Sequence, residues 1–519
     1  MESAAAAAAA AFDVEKTKGF IEQVWDDSIV PALCEYVKIP NQSPLFDPQW
    51  ATNGYMDQAI QLEVDWVKKQ QVPGLEVKVI AAPERTPVIV ITVEATTENK
   101  EDTVLLYGHL DKQPPLTEGW EEGIGPYTPV IKDGKLYGRG GADDGYSIFA
   151  AVTAIKALKE QGVPHSRCVI LVEACEESGS RDLPFYIEQL RDTIKTPSLI
   201  ICLDSGCGNY DQLWLTTSLR GAVVGTLQVK VLTEGVHSGK ASGIVPSSFR
   251  ILRHVLNRLE DSETGKIIPE CFYCPIPEQR LVQAKEAAET LGEELHTTFP
   301  WAGKTKPVTH DLTELLLNET WRPQLSVTGV AGMPTLEAAG NVLRTHTAVK
   351  LSLRIPPNVR AKEASDNLKA LFEKGAPYDA EVAFIPDKSA TGWESPQVVD
   401  WLKESLDKSS NAFFGKGACY QGEGGSIPFM GMLGELFPKA QFMITGSSIS
   451  IRAFICFSCF WLFVSPPICR FKTDVVPQKG VLGPNSNAHG PNEFLHIKMG
   501  KGVTYCVASV LADQAHHQA

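Results

Sequence analysis

Hydrophobic positions along the chain follow two patterns. From about Thr86 to Leu203, short β-rich runs alternate with longer amphipathic stretches, as in a sheet with crossover helices. The strand candidates are Val88 to Val93 (VIVITV), Thr103 to Tyr107 (TVLLY), Cys168 to Val172 (CVILV) and Ser198 to Leu203 (SLIICL). Between the second and third, Tyr146 to Lys159 repeats Ile148, Val152, Ile155 and Leu158 at helical spacing, one face of a crossover helix. From Gly221 the pattern changes. Val223 to Leu232 reads as a long strand, Phe249 to Leu259 as a helix and Thr347 to Ile355 as an alternating strand. After Gly392 the first pattern resumes. The expected fold is α/β: a discontinuous first domain over residues 16–215 and 387–519, with a mixed sheet flanked by helices, interrupted by an inserted α+β domain over 216–386.

Length supports two units, because 519 residues exceed the ~250–300 at which a single core stops growing. Residues 1–15, with their alanine tract, read as a disordered start lacking the basic pattern of a targeting peptide. The apolar run Ala453 to Val464 falls short of the roughly 20 residues a membrane span needs, so no membrane association is expected. A formal charge of -14, with no basic block, argues against nucleic acid as a partner. Twelve cysteines in so long a chain are too sparse for a disulfide scaffold and suit reduced thiols in the cytoplasm.

Chemistry gathers where strands end. Thr103 to Tyr107 runs into Gly108-His109-Leu110-Asp111, an imidazole and a carboxylate where open α/β sheets place ligand sites, although a surface turn also fits that motif alone. The glycine-rich turn Gly138 to Gly145 delivers Asp143 and Asp144 just before the crossover helix; an Asp N-cap would explain one of them, less comfortably both. Cys168 to Val172 leads to Glu176-Glu177, a pair that can divide into a cation ligand and a proton carrier, or be no more than an acidic helix start. Ser198 to Leu203 ends in Asp204, and Asn487 to Glu493 sets His489 in a loop. Acidic groups facing one another repel unless a cation neutralises them. Two His, two Asp and one Glu suit two divalent ions bridged by one carboxylate.

These five ordered motifs resemble the dimetal peptidase family of the carnosine dipeptidases, aminoacylases, acetylornithine deacetylase and succinyl-diaminopimelate desuccinylase, with the dipeptidase branch nearest. The resemblance runs from about Phe20 to Ala512. It implies that His109, Asp143 and Asp204 surround one metal ion and Asp143, Glu177 and His489 the other, with zinc expected and manganese as the alternative. It further implies that Glu176 is the general base acting on a metal-bridged water and that Asp111 orients His109. His237, in Gly235-Val236-His237-Ser238-Gly239, matches a lid histidine given across a homodimer interface to the neighbouring site. Arg354 matches the arginine that grips the substrate carboxylate, a bidentate task suited to guanidinium. Asn341 matches another lid contact, and Ser426 a specificity-pocket loop. The family's Lys-Gly after the Asp pair is replaced by Gly145-Tyr146. The implied activity is hydrolysis of dipeptides or similar small peptides; an N-acyl amino acid deacylase on the same site and a noncatalytic metal-binding homologue are the rivals. The lone Cys271-Phe272-Tyr273-Cys274 is read as structural. Residues 447–479 interrupt the family pattern with Phe454, Ile455, Phe457, Phe460, Trp461, Leu462 and Phe463, and are read as a gene-model artefact rather than a hydrophobic interaction element.

Overall fold

A computed structural model describes residues 11–425, 427–446 and 487–518. Ser426, the apolar segment 447–479 and the alanine tract through residue 10 lie outside the described residues. Asp13 accepts from the Lys16 N–H and caps a helix over Val14–Val24, so helix begins inside the stretch expected to be disordered to residue 15.

The apolar runs of the first pattern form one six-stranded sheet. Its spatial order is Leu75–Ile80, Val88–Val93, Arg167–Glu173, Thr103–His109, Pro197–Cys202 and Gln441–Ile444. The last four run parallel and the first two pairings are antiparallel, which gives the mixed sheet expected. Side chains alternate across a strand, and the two faces feed separate cores. Leu106, Ile170 and Ile201 pack with Phe149 and Ile155 of the helix Ser147–Lys159, while Leu105, Leu171 and Ile200 pack with Tyr186, Met430 and Leu433. Coverage on both sides is why these strands read as unbroken apolar runs.

The second pattern forms a four-stranded antiparallel sheet in the order Gln324–Ala331, His346–Ile355, Gly221–Lys230, Glu381–Ala390. Buried and half-buried residues alternate along Gly221–Lys230, the mark of a sheet covered on one face. That face packs on the helices Ser248–Leu256 and Ala361–Glu373 through Ile251, Val255, Leu368 and Phe372.

Packing corrects the expected extent of the inserted unit in two places. Thr216 falls within the strand Trp214–Leu219, which pairs in parallel with Cys419–Glu423, so the change of sheet comes at Gly221. The helices Glu278–Leu291 and Leu312–Thr320 lie within 216–386, yet Ala284, Ala287, Leu316 and Leu317 join the core shared with the six-stranded sheet. A small-residue face on the first helix lets it approach that core, a signal that periodicity alone assigns to no partner.

Candidate metal centre

Parallel pairing brings the strand ends together. His109 stands opposite Glu173, and Tyr107 opposite Cys202, so the segments bearing His109, Glu176-Glu177 and Asp204 leave one sheet edge side by side. Asp143 and Asp144 arrive from the turn ahead of the helix Ser147–Lys159. Gly108 permits this closeness. A Cβ there would lie 2.1 Å from Ser147 Oγ and 2.7 Å from Asp144 Oδ2.

Asp143 lies between two imidazoles. His109 Nε2 is 3.2 Å from Asp143 Oδ1, and His489 Nε2 is 2.9 Å from Asp143 Oδ2. His489 Nε2 is also 3.4 Å from Glu177 Oε2, and His109 Nε2 is 3.8 Å from Asp204 Oδ1. Two sets could each hold a cation: His109, Asp143 and Glu177, and His109, Glu176 and Asp204, with ligand atoms in each set within 4.8 Å of one another. Unit charges ~4 Å apart interact by roughly 4 kcal/mol at an effective dielectric of 20, so the carboxylate repulsions here rival the ~5–15 kcal/mol net stability of a domain. A countercharge must supply the balance. Burial opposes charge on both imidazoles, but Asp204, Asp111 and Asp143 hold the His109 pKa well above its ordinary value, and Glu177 and Asp143 do the same for His489. Burial, then Asp204, pushes Glu176 upward. The buried Glu177 Oε1 has no hydrogen-bond partner among the described residues, which leaves a lone pair for a ligand. Imidazole nitrogens mixed with carboxylate oxygens fit zinc or manganese.

The adjacent glutamates differ in access. Glu177 is buried while Glu176 is only partly covered. Asp111 ties that pair to the His109 loop: its Oδ1 and Oδ2 accept from the N–H groups of Glu176 and Glu177, each at 3.1 Å, and Oδ1 lies 3.5 Å from His109 Nδ1. The His109 ring also meets the Asp111 carbonyl at 3.1 Å. Asp111 therefore links two segments that carry candidate ligands, in addition to contacting the His109 ring.

The remaining expected residues sit elsewhere. His237 and Asn341 are exposed; His237 lies on a two-stranded ribbon of Val236–His237 and Val342–Leu343, and Asn341 just precedes its second strand, with Ser238 N–H donating to the Asn341 carbonyl at 2.8 Å. Arg354 lies half-buried on His346–Ile355, opposite Ala222 and Gln324. Cys168, Cys175 and Cys202 are buried free thiols, and Cys271 and Cys274 are also free.

Several contributors escaped the sequence reading. Glu423 Oε1 accepts from Ser205 Oγ, Gly206 N–H and Thr216 Oγ1, which fixes the backbone just past Asp204, and burial pushes its carboxyl up to about 7. Lys112 is fully buried, donates to the Tyr36 and Ile39 carbonyls at 2.7 Å each, and is pushed well down by burial. Arg139 and Glu493 form a buried ion pair at 2.5 Å. Both stood inside the quoted motifs, but nothing in the sequence pairs positions that far apart.

Residues 105–448 match the model of Peptidase family M20/M25/M40. The chain belongs to this family. His489 falls beyond the matched residues, whereas His109, Asp143, Glu176, Glu177 and Asp204 lie within them. Within the M20 family, the chain is 29% identical over 306 residues to the Beta-Ala-His dipeptidase of Rattus norvegicus, covering 56% of this chain and 59% of that protein. The human Beta-Ala-His dipeptidase is 26% identical over 385 residues, covering 70% and 72%. A Cys-Gly metallodipeptidase of Saccharomyces cerevisiae is 27% identical over 377 residues, covering 68% and 74%. The alignments thus span from under two thirds to about three quarters of these relatives. Among solved structures, the Saccharomyces cerevisiae di-peptidase Dug1p shares the fold at a TM-score of 0.68 and 20% identity, over 97% of this chain and 99% of that one. Human carnosine dipeptidase 1 also gives 0.68 at 20% identity, over 98% and 100%.

Proposed function

We propose that the chain hydrolyses the amide bond of dipeptides or similar small peptides at a two-metal site. The observation that carries the reading is the placement of Asp143 between His109 and His489, with Glu177 and Asp204 alongside. His109, Asp143 and Asp204 would hold one ion and Asp143, Glu177 and His489 the other. When bound, two such ions polarise the scissile carbonyl and acidify water.

The chain's own residues divide the remaining work. Glu176, the more accessible glutamate, takes a proton from the attacking water on its carboxylate and passes it to the leaving amine nitrogen. Asp111 holds the backbone of Glu176 and Glu177 so that the two carboxylates take different roles. Arg354 grips the substrate carboxylate, Asn341 and Ser426 contribute further substrate contacts, and His237 completes the site of a second copy.

Support for dipeptides comes from the relatives, two named for Beta-Ala-His and one for Cys-Gly cleavage. Support for a homodimer comes from the edge strand Gln324–Ala331, paired on one side only among the described residues and exposing Val327 and Val330 at 54% and 64%. The chain is read as a cytoplasmic zinc enzyme with a catalytic unit and an inserted lid unit; among the described residues, no helix is long and apolar enough to cross a membrane. Residues 447–479 are read as foreign to the enzyme, and the family match ends at residue 448.

The test supplies unblocked dipeptides and N-acetyl amino acids in parallel to purified protein of measured metal content. Turnover of dipeptides alone supports the reading. Turnover of acylated amino acids alone would establish the deacylase, and no turnover by the two-metal protein would establish the noncatalytic homologue.

A further inference from the structure

The metal centre draws its ligands from segments far apart in the chain, and the loop of His489 closes on itself through Asn487 Nδ2, which donates to the Pro491 carbonyl, and Gly490 N–H, which donates to the Asn487 carbonyl. His489 itself adopts φ +59, a left-handed conformation disfavoured for a residue with a side chain, as do Asn487 and Asn492 on either side. Contacts from outside the loop hold it as well.

Arg139 and Glu493, 354 residues apart, are 1% and 0% exposed and lie where that loop meets the Asp143 turn. The guanidinium donates from Nη1 to Glu493 Oε2 at 2.5 Å, from Nη2 to the Gly490 carbonyl at 2.9 Å, and from Nε to the Pro114 carbonyl at 3.1 Å. Glu493 uses Oε1 to accept from Gly140 N–H at 2.8 Å, and its carbonyl accepts from Gly138 N–H at 2.9 Å. One ion pair thus touches three segments: the chain after Asp111, the turn before Asp143 and the loop around His489. Antiparallel pairing of Tyr137 with Phe494 aligns the last two. Replacing a buried ion pair with apolar residues is often neutral or stabilising, so net stability explains this pair poorly. Fixed geometry explains it better, since a planar fork with rigidly placed donors ties three backbones at set distances.

We infer that the Arg139–Glu493 pair is a positioning device for the metal centre, setting His489 against Asp143 and thereby the affinity of the ion these two share with Glu177. The inference rests on the two-metal reading above. It deepens that reading by predicting that the two ions respond differently when the clamp is loosened.

The experiment titrates metal-free protein with Zn2+ by calorimetry and measures retained metal by mass spectrometry. It compares the wild type, Arg139→Met, Glu493→Gln and Arg139→Lys, with His489→Ala marking loss of one site. The expected result is two ions in the wild type, and in Arg139→Met one ion held as before with the other weakened about 10–100-fold, the usual effect of removing a ligand's supporting contacts. Arg139→Lys should fall between, because an ammonium can meet Glu493 but cannot also span Gly490 and Pro114. If Arg139→Met does not fold, Glu493→Gln, isosteric and still an acceptor for Gly140 N–H, carries the comparison. Equal weakening of both ions, or of neither, would overturn the clamp while the metal reading stands. Fewer than two ions in the wild type would overturn the metal reading and the clamp with it.

Discussion

The carboxyl edge of the six-stranded sheet and the ribbon and sheet of the inserted region organise their candidate residues in opposite ways. At the sheet edge, His109, Asp111 and Glu177 are buried and the neighbouring charged groups lie within a few ångströms. In the inserted region, His237 stands exposed on a two-stranded ribbon with exposed Asn341 beside it, and Arg354 is half-buried on a strand. The difference follows from what surrounds each. A sheet covered on both faces, with four parallel strands side by side, brings several segments to one edge and buries what they carry. A sheet covered on one face leaves its other face less covered, so residues there are less enclosed than those at the edge of the doubly covered sheet. The candidate metal ligands are brought together by the chain's own packing, whereas the candidate substrate contacts are not gathered beside them.

The comparison can be broken first at the preformed edge. Glu176→Gln should retain both ions, because the five proposed ligands His109, Asp143, Glu177, Asp204 and His489 are untouched and the amide keeps an oxygen beside His109 and Asp204, yet lose roughly 10²–10⁴-fold in kcat, the range for removal of a general base. Near-normal hydrolysis by this variant would remove Glu176 from the proton-transfer role. His109→Ala should next lower metal occupancy, since His109 lies in both clusters of ligand atoms. Mass spectrometry showing full occupancy would strike it from the ligand set.

The exposed half offers a smaller effect with a distinct signature. If His237 serves a neighbouring subunit, mixing inactive Glu176→Gln chains with inactive His237→Ala chains should restore part of the wild-type rate, because one site of each mixed dimer is intact. Absence of recovery after proven subunit exchange would confine His237 to its own chain or to no catalytic part. Deleting residues 447–479 should affect activity least of all: the shortened chain is expected to be more soluble and at least as active. Loss of metal or turnover on deletion would instead make the segment part of the enzyme.

Legibility in the sequence follows the same division. Thr103 to Tyr107, Cys168 to Val172 and Ser198 to Leu203 were readable because fully covered strands are continuous apolar runs, and the structure places strands at Thr103–His109, Arg167–Glu173 and Pro197–Cys202. The charged groups at their ends were readable because they follow the strands directly in sequence. The inserted region's extent was less readable: Glu278–Leu291 and Leu312–Thr320 show helical character, but which core they join depends on facing residues distant in the chain.

The sequence by itself determined the element types, the presence of a charge cluster needing cations and the residue types that compose it, because these depend on local periodicity and on motifs of a few residues. Tertiary structure alone decided that Asp143 sits between two imidazoles, that Asp111 binds the Glu176-Glu177 backbone, and that Arg139 meets Glu493. Each of those contacts joins side chains or loops brought together by strand order and packing. Distance along the chain carries no information about which buried charge will face which. The cost of leaving such a charge unpaired does select among folds, and it acts only once the core has closed around it.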